Sequence, residues 1–137
     1  MTLDELRQRY ERVHADKEQG LSEPDKDFLT RTMNLVAEQI ETYSINVDDL
    51  SKQMAMSTSQ FRNRLKVITG ETPQSYITNI RMQKARQQLD AKEPQTTILD
   101  IALSCGYEDQ GSFARAFKRF YGVTPSEYLT RTPDKKV

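Results

Sequence analysis

A seven-residue pattern, G-x-T-P-x-x-Y, occurs twice in this chain, as Gly70 to Tyr76 and again as Gly122 to Tyr128, and it limits the fold more than any other feature. Self-similarity of this kind makes the repeat, not the whole chain, the unit to be folded. With Leu50 laid on Ile101, Met54 falls on Cys105 and Met56 on Tyr107. After one inserted residue, Ser57 falls on Asp109, Phe61 on Phe113, Leu65 on Phe117 and Lys66 on Lys118. Two similar helical subdomains in tandem are therefore expected.

Within each repeat the apolar spacing is helical and the breaks carry capping chemistry. Asn46 precedes a short helix with Val47, Leu50 and Met54 inward, Ala55-Met56 makes a turn, and Ser57 caps a helix from Thr58 to about Thr69. Phe61, Leu65 and Ile68 are the inward residues of that second helix, which leaves Ser59, Arg62, Asn63 and Lys66 on the opposite face. The second repeat follows the same plan. Thr97 and Asp100 cap a helix with Ile98, Ile101, Ala102 and Cys105 inward, Gly106 supplies a left-handed turn, and Asp109 caps the next helix. There Phe113, Ala116, Phe117 and Phe120 form the core face, and Gln110, Gly111, Ala114, Arg115 and Lys118 the outer face. Each repeat is thus predicted to be a helix-turn-helix.

Thr72-Pro73 restarts the chain between the repeats, and no breaker interrupts the run to about Ala91, whose core side is Tyr76, Ile77, Ile80, Ala85 and Leu89. A helix of about 18 residues spans roughly 27 Å, enough to hold two units apart. Ahead of the repeats, Leu29, Met33, Val36, Ile40 and Tyr43 predict a leader helix from Asp25 to near Ser44, entered through Ser22 or Pro24. Residues 2 to 18 predict a short amphipathic helix along Leu3, Leu6, Tyr10 and Val13. The fold class is all-α, two helix-turn-helix subdomains joined by a long linker helix, with extra N-terminal helices. The expected divisions are an N-terminal linker at 1–24, a leader at 25–46, the first unit at 47–72, the linker helix at 73–94, the second unit at 95–132 and a tail at 133–137.

Formal charge is zero, but its distribution is uneven. Residues 1 to 46 carry ten acidic against six basic residues, a net −4, so the remainder carries +4. The basic residues of the repeats cluster as Arg62, Arg64 and Lys66 and as Arg115, Lys118 and Arg119, at equivalent places. Clusters act on phosphate within a Debye length of about 10 Å, where distant acids are screened. A helix in the major groove reads bases with its exposed N-terminal half while flanking Arg and Lys hold the backbone. On that logic Ser59, Arg62 and Asn63 are base readers in the first unit, with Arg64 and Lys66 nearer the backbone. In the second, Gln110 and Arg115 read, Gly111 and Ala114 permit close approach, and Lys118 and Arg119 meet phosphate. Arg suits guanine and Asn suits adenine.

Other chemistry finds little support. The sequence holds no nucleophile motif or Gly-rich phosphate loop, and its single histidine, His14, has no ligand-spaced neighbour, so no enzyme, metal or cofactor is expected. The single cysteine, Cys105, sits on an apolar helical position and is expected to be buried and inert. No apolar run approaches the roughly 18 residues of a membrane span, and the charged start is unlike a signal, so a cytoplasmic location without membrane contact is expected. The alternative to a DNA reader is a non-enzymatic protein-interaction module that contacts RNA polymerase or a partner helix.

Residues 47 to 129 resemble the DNA-binding domain of the AraC/XylS family of bacterial transcription regulators, above all in G-Y-x-D-x-x-x-F-x-R-x-F-K-x-x-x-G-x-T-P-S-x-Y from Gly106 to Tyr128. The resemblance implies seven helices and two recognition helices inserted into successive major-groove segments of double-stranded DNA. It also implies a missing sensor or dimerisation domain as a partner, and the leader resembles those that precede such domains in hybrid two-component sensors. The first unit departs from the family pattern at Asn63, where Arg is common, and at Ser51, which replaces Ala opposite Ala102. A hydroxyl at Ser51 needs a bond within its own helix.

Overall fold

The computed structural model describes residues 20–42 and 44–131. The expected helix over 2–18, His14, the inward placement of Tyr43 and the tail at 133–137 lie outside the described residues. Seven helices are described: α1 (Glu23–Glu38), α2 (Val47–Gln53), α3 (Thr58–Thr69), α4 (Pro73–Asp90), α5 (Ile98–Ser104), α6 (Gln110–Tyr121) and α7 (Pro125–Arg131). Among the described residues there is no strand.

The helix starts follow their caps. Ser22, Asn46, Ser57, Thr72, Thr97 and Asp109 each accept a backbone N–H from three residues on. Such a bond satisfies one of the orphan donors at a helix start and is worth about 1 kcal/mol. The two turns inside the helix-turn-helix units are alike. Ala55 (φ 58°) and Gly106 (φ 91°) are both left-handed, and the following N–H donates five residues back, Met56 to Ser51 at 2.9 Å and Tyr107 to Ala102 at 3.0 Å. Gly70 and Gly122 close α3 and α6 in the same conformation, with φ of 77° and 86°.

Two cores result, and α4 threads both. Phe28, Val36, Ile40, Leu50, Met54, Phe61, Leu65 and Ile77 pack in the first. Met82, Ala85, Leu89, Ile101, Cys105, Phe113, Phe117, Tyr121 and Tyr128 pack in the second. A helix serving two cores on different sides shows no single apolar stripe, and the predicted stripe of α4 is incomplete for that reason. Tyr76 and Ile80 are half-buried, whereas Asn79, Arg81 and Met82 are buried. The Asn79 amide donates to the Glu71 carboxylate, which gives this buried polar group a partner.

The predicted stripe of the leader holds at Val36 and Ile40, both buried, and at Leu29, which packs against the same core, but Met33 departs from it. The helix ends at Glu38, Met33 is 43% exposed, and the buried positions are Phe28, Thr32 and Val36. Thr32 escapes an apolar reading but fits inside because its hydroxyl donates to the Phe28 carbonyl at 2.8 Å. Phe28 then meets the Phe61 ring at 5.8 Å between centroids. In the second unit the aromatic core extends past the predicted face. Tyr121 lies 4.7 Å from Phe117 and its hydroxyl donates to the Met82 carbonyl at 3.2 Å. The Tyr128 hydroxyl reaches Asp90 at 2.6 Å. Ser51 finds the bond it needs, donating to the Val47 carbonyl at 2.9 Å.

At the junction of the cores lies Arg81, 6% exposed. Its Nη1 donates to the carbonyls of Ile40 and Cys105, both at 2.6 Å, and its Nη2 to that of Thr42 at 2.8 Å. One guanidinium thus ties the end of the leader to the turn of the second unit. Lys84 adds a bond from its Nζ to the Ser104 carbonyl at 2.8 Å.

Candidate nucleic-acid interface

On α3, Ser59, Arg62, Asn63 and Lys66 are all exposed. Their spacing of 3, 1 and 3 places them on one side of the helix, away from Phe61 and Leu65. Arg64 faces elsewhere. Its Nη2 donates to the Pro24 carbonyl at 3.3 Å and meets Asp25 Oδ1 at 3.4 Å, and its guanidinium lies 4.7 Å from the centroid of Phe28. The fold therefore groups the other four and holds Arg64 against the leader helix. Lys66 Nζ donates to the Gly70 carbonyl at 3.1 Å, which satisfies a helix-end acceptor and keeps the ammonium at the surface. Val67, 84% exposed, adjoins this face and was not singled out by its residue type. The repeat register was the available signal, since it sets Val67 on Arg119.

On α6, Gln110, Gly111, Arg115, Lys118 and Arg119 are exposed, and Ala114 is half-buried among them. The repeat thus carries the same kind of face at the same place, with one exchange of chemistry. Arg62 aligns with Ala114 and Asn63 with Arg115, so the long cation moves by one position between the two helices. Around Arg115 the side chains are linked. Its Nη2 donates to Ser112 Oγ at 3.2 Å, and Ser112 Oγ donates to Asp109 Oδ2 at 3.1 Å. Asp109 Oδ1 accepts the Ser112 backbone N–H at 2.6 Å. That backbone bond, then the Ser112 hydroxyl and the charge of Arg115, hold the Asp109 carboxyl below its ordinary pKa.

Among the described residues no cluster of His, Cys, Asp and Glu could hold a metal ion, and no helix is long and apolar enough to cross a membrane. An open groove between α4 and α5 is lined by Gln88, Lys92, Glu93 and Asp100. Asp100 is committed there to capping, held below its ordinary pKa by the Thr97 backbone and hydroxyl. Cys105 is fully buried, and desolvation pushes its thiol above the ordinary value, which disfavours the reactive thiolate.

Residues 50–131 match a family described as a helix-turn-helix domain. The chain is 35% identical over 83 residues to the HTH-type transcriptional regulator MtrA of Neisseria gonorrhoeae, covering 61% of this chain and 27% of that protein. It is 31% identical over 98 residues to the HTH-type transcriptional activator RhaS of Escherichia coli O139:H28, covering 69% and 34%. The chain therefore spans about a third of the length of these curated relatives. Among solved structures it superposes on a transcriptional regulator from Chromobacterium violaceum, described as containing an AraC-type DNA-binding domain. The TM-score there is 0.69 at 25% identity, with 80% of this chain and 95% of that one covered.

Proposed function

The chain belongs to the AraC-type helix-turn-helix family, and from that premise we propose that it binds double-stranded DNA sequence-specifically and regulates transcription. In this reading α3 and α6 enter successive major-groove segments on one side of the duplex. The observation that carries it is the pair of exposed polar and basic faces at equivalent positions of two repeats, bridged by the 18-residue α4. By the rise of an α-helix α4 is roughly 27 Å long, compatible with units one duplex turn of about 34 Å apart.

Base reading falls to Ser59, Arg62 and Asn63 on α3 and to Gln110 and Arg115 on α6, with close approach at Gly111 and Ala114. Lys66, Lys118 and Arg119 hold phosphate. Arg64 joins them only where its bonds to Pro24 and Asp25 give way. RNA polymerase and a sensor or dimerisation domain are further partners in this reading, and the site of action is the cytoplasm. Residues 25–46 lead into a first unit at 47–72, and the linker segment at 73–94, helical over α4, delivers the second unit at 95–132.

Selection of bound sites from random duplexes tests specificity and half-site spacing together. Arg115→Ala should then weaken binding to the best site by about 1 to 3 kcal/mol and relax the preference at one base pair. Lys118→Ala should instead weaken all sequences alike and flatten the dependence of log affinity on log salt by about 0.9. Equal affinity for every duplex, or an Arg115→Ala loss that is the same on all of them, would contradict the assignment.

A further inference from the structure

The two reading faces differ in how their central residue is held. At the start of α3 the cap is neutral: Ser57 Oγ accepts the Gln60 N–H at 3.1 Å, and Gln60 Oε1 accepts the Ser57 N–H at 3.0 Å. Gln60 is thereby turned back onto the cap, away from Asn63. At the start of α6 the same two positions are Asp109 and Ser112, and their bonds run outward to the side chain of Arg115. Ser112 stands between an acceptor and a donor, giving its hydroxyl proton to Asp109 and receiving Arg115 Nη2. Gly111 lies under this chain of bonds. A Cβ there would stand 3.3 Å from Asp109 Oδ1 and 3.4 Å from Arg115 Nη1, so the carboxylate and the guanidinium flank the bare Cα.

We propose that Asp109 and Ser112 are positioning residues for Arg115, holding its guanidinium over the start of α6 so that it meets the duplex already oriented. The inference rests on the reading of Arg115 as a base contact. An arginine on a free stem loses rotamer freedom when it docks, and ordering it beforehand removes that cost from binding. The carboxylate does not oppose DNA in this role, because the helix N-terminus and the guanidinium offset its charge. The first unit lacks this carboxylate-hydroxyl pair at the equivalent positions, where Ser57 and Gln60 stand. The second unit is accordingly the more selective of the two.

The test is a double-mutant cycle on the full chain with Ser112→Ala and Arg115→Ala, read as affinity for the best selected duplex and for the same duplex altered at the base pair that Arg115 discriminates. Ser112→Ala keeps the backbone cap on Asp109, and equal melting temperatures verify that the fold is retained. It should lose about two- to tenfold on the best duplex, the range expected for freeing one long side chain. On the altered duplex, and in the Arg115→Ala background, it should lose nothing. Ser112→Thr, which retains the hydroxyl, should restore most of the affinity, and Asp109→Asn should resemble Ser112→Ala. An undiminished Ser112→Ala loss in the Arg115→Ala background would overturn the positioning role while leaving Arg115 a base contact. An Arg115→Ala variant that discriminates as well as the parent would overturn the base contact, and the positioning role with it.

Discussion

Two glycines share one backbone conformation and differ in what surrounds them, so replacing each by alanine compares an open left-handed turn with one packed against the buried arginine and the Ile40 carbonyl. Gly106 has φ +91° and Gly122 φ +86°. A side chain in the left-handed region costs about 1 to 2 kcal/mol at either place. At Gly122 nothing lies within 4 Å of the added Cβ, so that cost should be the whole effect. At Gly106 the Cβ would stand 1.8 Å from Arg81 Nη1 and 2.3 Å from the Ile40 carbonyl oxygen. The guanidinium must leave, and the bonds from Nη1 to Ile40 and Cys105 are lost with it. Hydrogen bonds to a charged group are worth about 1.5 to 3 kcal/mol each, and both acceptors are left in a buried place. Gly106→Ala should therefore cost at least about 3 kcal/mol more than Gly122→Ala, a large part of the roughly 5 to 15 kcal/mol available to a domain. Urea unfolding followed by circular dichroism measures both, provided the slopes agree. Equal losses in the two variants would refute the assignment of Arg81 as the tie between leader and second unit. As a cross-check, Gly106→Ala should add less than its full cost to Arg81→Met, since both remove the same bonds.

The other left-handed turn gives the opposite expectation. Ala55 (φ 58°) is exposed, so Ala55→Gly relieves strain without opening a cavity. The gain, set against the greater freedom of glycine in the unfolded chain, should raise the urea midpoint by the equivalent of up to about 1 kcal/mol, and a fall would show that the turn is unstrained. Acid should weaken the second unit through its caps. The carboxyls of Asp100 and Asp109 are held below their ordinary value of 3.8 in the folded state. A depressed folded pKa stabilises above the unfolded value and is lost as pH falls through the folded one. The urea midpoint should thus lose these contributions only below about pH 4. The combined Asp100→Asn and Asp109→Asn variant should show a shallower acid decline than the parent, and an identical decline would remove the caps from the explanation.

Much of this architecture was legible in the sequence because it is written in local chemistry. Ser57, Thr72, Thr97 and Asp109 announce their helices through short-range bonds that the chain cannot easily satisfy otherwise, and the repeat fixes which of them are equivalent. Arg62, Asn63, Arg115 and Lys118 follow from the same register, since a residue opposite Phe61 or Phe113 must face solvent. What was not legible is polar and long-range. Arg81 looks in any hydropathy pattern like a solvated residue, and only the tertiary fold brings carbonyls from residues 40, 42 and 105 around it. Thr32 hides in the same way, by satisfying its hydroxyl one turn back, so a buried position of α1 goes unread beside the predicted Val36. Arg64 shares a cluster with Arg62 and Lys66 along the chain, but a step of two residues turns it through about 200° on a helix. It meets Phe28 and Asp25 instead.

These long-range contacts make the physical unit larger than the repeated one. The family match begins at residue 50, and each helix-turn-helix looks self-sufficient in sequence. Yet Phe28, Val36 and Ile40 from the leader fill the first core beside Leu50, Phe61 and Leu65. Without them the inner face of α3 would border water, at a cost of about 1.5 to 3 kcal/mol for each large side chain exposed. The same segment ends in the two carbonyls that Arg81 binds, and the third lies in the turn that sets the angle between α5 and α6. The orientation of the second reading helix is thereby fixed in part by residues that precede the first repeat. A length of chain that contributes no residue to either reading face still determines how the two faces stand to one another.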